Sequence, residues 1–209
     1  MIKTLLVEDN KIMLQYLEGM LQEDGRFQVA GSLRDSEMAG LFCRNNEVEL
    51  ILMDVQTLHG HSGLAAAEKV KRMFPEIKIV IVTSLVDCEI LAGARSGRAD
   101  SLWYKDHGED ALIDVIFRTL AGEHVFPDVS PNVELGSGWS DSITPRQFQI
   151  IRMYIRGNSY RKIAEKLGIT VSGVKYNMND MIEKCGFSSK QELIAAVIDS
   201  KLVTILAEE

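Results

Sequence analysis

The chain has 209 residues, 46% of them hydrophobic and 25% charged. That is an ordinary globular composition, with material for one or two domains. No apolar run nears the roughly 20 residues of a membrane-spanning helix, and the N-terminus, MIKTLLVEDN, turns acidic after six residues, so neither a membrane span nor a signal peptide is expected. The apolar runs IKTLLV (2–7), FQVAGSL (27–33), ELILMDV (49–55), IKIVIVT (77–83) and DSLWY (100–104) predict five strands. Amphipathic stretches near 11–24, 36–45, 63–74, 87–96 and 109–121 predict the helices between them. Strands so continuously apolar are buried on both faces. The expected fold is therefore an α/β doubly wound, five-stranded parallel sheet, with ligands at the carboxyl ends of its strands.

Residues 122–141 lose this periodicity and collect Pro, Gly and Ser, as an interdomain linker does. Helical signals resume at Thr144-Pro145, where Gln147 completes a capping-box spacing. Four helices are predicted near 145–156, 160–167, 171–184 and 190–200, punctuated by Gly157 and Gly168 and capped in the last two by Thr170 and Ser189. The expected domains are thus 1–121, a linker at 122–141, and an all-α module at 142–209. The net charge of −7 divides along the same lines. Residues 1–122 hold 13 Lys and Arg against 19 Asp and Glu, whereas residues 140–209 hold 10 against 8. An acidic front and a mildly basic back predict modules with different partners. Cys43, Cys88 and Cys185 fit neither a disulfide framework nor a zinc motif, which predicts a cytoplasmic protein.

Four of the five strand ends carry informative side chains: Glu8-Asp9, Asp54, Thr83-Ser84 and Lys105. Brought to one sheet edge, three carboxylates repel one another unless a cation joins them. A hard divalent ion with oxygen ligands, Mg²⁺, suits Glu8, Asp9 and Asp54. A carboxylate is also a nucleophile toward phosphorus, and phosphoryl transfer needs its oxygens neutralised, a task for Mg²⁺, the Lys105 ammonium and the Thr83 hydroxyl.

The segments LLVEDN, ILMDV, IVIVTS and LWYKD resemble the receiver domain of two-component response regulators, across residues 1–121. The resemblance implies a flavodoxin-like fold with Asp54 as phosphoacceptor. It further implies Glu8, Asp9, Asp54 and the Gln56 backbone carbonyl as Mg²⁺ ligands, Thr83, Ser84 and Lys105 as phosphoryl-sensing groups, and a sensor histidine kinase as partner. Two departures stand out. The loop DVQTLHGHSG lacks the family's proline and is one residue longer, reaching its glycine at Gly63; its His59 and His61 read as solvated side chains. The aromatic switch position three before the lysine is Leu102.

In the back module, Val174, Met178, Met181 and Cys185 recur at helical spacing and predict a buried stripe. Ser172, Lys175, Tyr176, Asn179 and Glu183 fall on the opposite face. Preceded by RKIAEKLGIT, this helix resembles the recognition helix of a LuxR/FixJ-type helix-turn-helix, and the whole chain a response regulator of the NarL/FixJ type. The resemblance implies base contacts on or near Lys175, Tyr176 and Asn179 on double-stranded promoter DNA, and Ser172, Asn177, Arg161 and the helix N-termini are expected to hold phosphates. Few cations predict modest affinity for one module, hence a homodimer formed on phosphorylation.

The expected function is a phosphorylation-switched transcriptional regulator rather than a dedicated enzyme. A haloacid-dehalogenase-like phosphatase would place a second aspartate where Gln56 stands. A regulator whose receiver only dimerises, without phosphorylation, is the alternative.

Overall fold

The computed structural model describes residues 1–106 and 111–203, which divide into two compact units. One comprises 1–84 and 88–130; the other comprises 85–87 and 131–203. In the first, strands β1 (Ile2–Val7), β2 (Phe27–Leu33), β3 (Leu50–Met53), β4 (Lys78–Thr83) and β5 (Ser101–Tyr104) alternate with helices α1 (Lys11–Asp24), α2 (Ala39–Asn45), α3 (Gly63–Met73), α4 (Cys88–Gly93) and α5 (Leu112–Leu120). The strands run parallel in the order β2-β1-β3-β4-β5. Period-two alternation puts Leu6, Leu50, Leu52, Val80 and Val82 on one face, packed with Leu17 and Leu21 of α1 and Val115 and Ile116 of α5. Leu5, Ile51, Met53, Ile79 and Ile81 are equally buried, so both faces are covered. The edge strand β2 departs from the expected apolar continuity: Gln28, Val29 and Ser32 are exposed.

Several boundaries differ locally from expectation. The second helix opens as a 3-10 turn, Ser36–Met38, because Asp35 caps that turn through Glu37 N–H. The fourth gives way to a wider turn at Ala94–Arg98, where Gly97 adopts φ +92°. The fifth begins at Leu112; its expected start at 109 lies outside the described residues.

The second unit opens on a hairpin unforeseen in the sequence, β6 (Glu134–Leu135) against β7 (Gly138–Trp139), then a 3-10 turn at Ser140–Ser142. Helices α6 (Pro145–Ile155), α7 (Tyr160–Leu167), α8 (Val171–Lys184) and α9 (Lys190–Asp199) follow. Thr144 and Gln147 form the expected capping box. The core holds Ile150, Ile151, Ile163, Val174, Met178, Met181, Cys185, Leu193 and Val197. Gly168, at φ +64°, ends α7 in the left-handed conformation that a side chain disfavours, and Thr170 caps α8 through Gly173 N–H, giving a three-residue turn between the two helices. No helix among the described residues is long and apolar enough to cross a membrane.

Candidate functional site

The chain leaves β1 toward β2 on one side and reaches β3 on the other. The carboxyl edge between β1 and β3 is therefore a topological switch point, where open α/β sheets bind ligands. Backbone bonds continue the sheet beyond the strands and carry the site residues there: Asp54 N–H donates to the Val7 carbonyl at 2.9 Å and Lys105 N–H to the Thr83 carbonyl at 2.9 Å. An acid pair following a strand often only caps the next helix. Here Asn10 does that work, accepting from Ile12 and Met13 N–H at 2.9 and 3.2 Å, and Glu8 and Asp9 are left to face Asp54. Carboxylate oxygens of Glu8, Asp9 and Asp54 lie within 4.8 Å of one another.

The Lys105 ammonium reaches into this group, 2.5 Å from Glu8 Oε2 and 2.8 Å from Asp54 Oδ2. Thr83, fully buried, hydrogen-bonds the Asp54 carboxylate and favours its charged form. Ser84 follows it, half-buried. Burial, then the Asp54 charge, pushes Glu8 above the usual carboxylate range despite Lys105. Burial likewise raises Asp54, against the pull of Lys105 and Thr83. Burial alone would lower Lys105, but Asp54 and Glu8 outweigh it and hold the ammonium charged. Among the described residues, one ammonium against three carboxylates leaves the pocket short of positive charge. The all-oxygen donor set fits a hard divalent cation, so the acidic cluster is consistent with a metal site.

The loop that follows Asp54 returns to it at Gly63, whose N–H donates to the Val55 carbonyl at 2.8 Å. Gln56, its side chain exposed, forms an isolated antiparallel bridge with Ser62. At Gly63 an added Cβ would lie 1.8 Å from the Asp54 carbonyl oxygen, so only glycine lets α3 start this close to the acid. His59 is exposed, as expected. His61 is not a freely solvated side chain: it is half-buried, with Nδ1 2.7 Å from Asp35 Oδ1, and that hydrogen bond raises the imidazole above its ordinary value. Leu102 is buried and Trp103 half-buried, while buried Tyr104 reaches Ser130 Oγ at 3.3 Å.

In the second unit, α8 buries Val174, Met178 and Met181 and exposes Ser172, Lys175, Tyr176 and Asn179. Arg161 is exposed on α7. Asn177 is half-buried and donates to the Gly173 carbonyl within its own helix at 2.8 Å. Of the expected DNA-facing residues it alone is turned partly inward.

The family model for the response regulator receiver domain matches residues 4–117, and that for bacterial regulatory proteins of the luxR family matches residues 141–197. The chain is 24% identical over 209 residues to the transcriptional regulatory protein MctR of Rhizobium johnstonii, spanning 97% of this chain and 96% of that one. It is 23% identical over 207 residues to the response regulator protein VraR of Staphylococcus epidermidis, spanning 97% and 99%. Among solved structures, RcsB from Salmonella enterica serovar Typhimurium bound to promoter rprA with phosphomimetic BeF3⁻ matches with a TM-score of 0.61 at 16% identity, covering 94% of this chain and 98% of that one. At that identity the likeness speaks to the fold.

Proposed function

Because the chain belongs to the response regulator receiver family and continues into a luxR-type helix-turn-helix, we propose that this two-component response regulator is switched by phosphorylation of Asp54 and controls transcription from promoter DNA. The observation that carries the reading is the constellation at the switch point: three carboxylates, one half-buried ammonium and one buried hydroxyl on a single pocket. An Asp54 carboxylate oxygen forms the bond to phosphorus as the bond from phosphorus to the donor, a histidine nitrogen of a sensor kinase, breaks. Glu8, Asp9, Asp54 and the Gln56 carbonyl would hold Mg²⁺, which when bound neutralises charge on the phosphoryl oxygens. Lys105, already 2.8 Å from Asp54, follows that charge onto the phosphoryl group, and Thr83 and Ser84 donate hydroxyls from the end of β4. The site serves as an acceptor of the group and not as a dedicated enzyme.

Phosphorylation then favours a homodimer whose two modules read double-stranded DNA. Lys175, Tyr176 and Asn179 face base edges from α8, while Ser172, Asn177 and Arg161 hold phosphates. Asn177 gives up its Gly173 bond to do so. The reading places the protein in the cytoplasm, where a kinase transmitter and a promoter are both within reach. Intact mass spectrometry after acetyl phosphate treatment tests it. One phosphoryl group should appear with Mg²⁺, fail to form when Mg²⁺ is chelated beforehand, and be absent in Asp54→Ala. A phosphorylated Asp54→Ala chain would move the site elsewhere. Equal DNA binding with and without phosphate would favour the phosphorylation-independent regulator.

A further inference from the structure

The loop over residues 55–62 is anchored in the core by Val55 at its start, but its apex carries no buried apolar side chain. Its apex places His59 at φ +63° and Gly60 at φ +76°, both left-handed, and His59 and Gln56 are exposed. A non-glycine residue persists in that conformation only where its surroundings over-determine it. The surroundings here are polar and come from the turn after β2, more than twenty residues away in sequence. Thr57, 2% exposed, accepts from Ser36 N–H at 3.1 Å, and its hydroxyl lies 2.9 Å from Ser36 Oγ and 3.0 Å from the His61 carbonyl. Ser36 is 1% exposed. Leu58 N–H donates to the Arg34 carbonyl at 2.9 Å. Asp35 Oδ1 accepts both Glu37 N–H, at 3.0 Å, and the imidazole of His61, at 2.7 Å. The two loops are thereby stitched at Arg34, Asp35 and Ser36.

Those stitches all lie just after Gln56, at Thr57, Leu58 and His61, and bonds within the loop flank Gln56 itself. Before it, the Val55 carbonyl accepts Gly63 N–H at 2.8 Å; after it, Thr57 N–H donates to the His61 carbonyl at 3.3 Å. The peptide carrying the Gln56 carbonyl therefore has its direction set by neighbours that the turn after β2 fixes in turn. We propose that Asp35, Ser36, Thr57 and His61 are positioning residues that hold the Gln56 carbonyl toward the acidic pocket. They replace, in a loop one residue longer and without proline, the stiffness that a proline would give. The inference rests on the Mg²⁺-dependent acceptor reading above. Groups that orient a metal ligand without touching the metal change its affinity by about 10–100-fold when removed.

Calorimetric titration of the full chain with Mg²⁺ alone tests this, beside thermal denaturation without metal. Thr57→Val, which removes the hydroxyl at constant shape, is expected to weaken Mg²⁺ binding by about tenfold, and Thr57→Ser to restore it. Asp35→Asn, at a partly exposed position, is expected to weaken Mg²⁺ in the same direction while melting near the wild type. It decides the matter where Thr57→Val fails to fold. Wild-type Mg²⁺ affinity in Asp35→Asn and in any folded Thr57→Val overturns the inference alone. A wild-type chain that binds no Mg²⁺ overturns both the inference and the reading beneath it.

Discussion

At the scale of single residues, Lys105 answers two carboxylates with one charge, and both remain raised above their ordinary range by burial. Replacing it with methionine strands them. Breaking a buried pair generally costs about 3–5 kcal/mol; here proton uptake by Glu8 and Asp54 relieves part, so Lys105→Met is expected to lose about 2–3 kcal/mol near neutral pH. The sign of its pH dependence follows. A carboxyl raised in the folded state destabilises most above its folded value, and the penalty fades as pH falls toward the unfolded carboxylate range. Urea denaturation at about pH 7.5 and about pH 5 should show the deficit shrinking at the lower pH. A deficit equal at both would mean that Lys105 acts by packing alone.

At the scale of elements, the tip of the β6–β7 hairpin closes the carboxyl end of α8. Ser137 N–H donates to the Cys185 carbonyl at 2.9 Å, satisfying one of the orphan acceptors of a helix end. Gly136 adopts φ +65°, and a Cβ there would lie 2.2 Å from that same carbonyl oxygen. Gly136→Ala therefore combines a left-handed alanine with a backbone clash, and should cost the second unit about 2 kcal/mol or more, read by thermal denaturation. On the exposed face of α8, Lys175→Ala should weaken specific DNA binding more than non-specific binding, by about 1–3 kcal/mol in a competition assay. Equal loss on both DNAs would make Lys175 a phosphate contact. What was legible beforehand and what was not divides at this scale. Glu8, Asp54, Thr83 and Lys105 could be assembled from sequence because a parallel sheet brings every strand's carboxyl end to one edge. The α8 stripe was legible because burial imposes a period. The hairpin was not: strands of two residues carry no period, and Gly-Ser-Gly reads as a flexible connector. Nor was the tie between His61 and Asp35, since a bond between two loops leaves no repeat in either.

At the scale of the whole molecule, the formal charge is concentrated in one half, and the C-terminal module carries little excess of cations. Its salt dependence on DNA should accordingly be shallow for one module. The thiols supply a different whole-chain property. Cys88 is exposed, whereas Cys43 lies in the core of the first unit at 7% exposure and Cys185 in that of the second at 0%. Burial pushes the Cys43 thiol up to about 11 and raises that of Cys185 as well. Alkylation needs the thiolate, so each buried sulfur stays silent until its own surroundings open. The chain thus contains a clock for each half. Under a pulse of iodoacetamide in rising urea, Cys88 should label first, and the midpoints at Cys43 and Cys185 should report the opening of each unit separately. Coincident midpoints would make the two halves a single cooperative body; separated ones would rank their stabilities without a dye, a tag or a substitution.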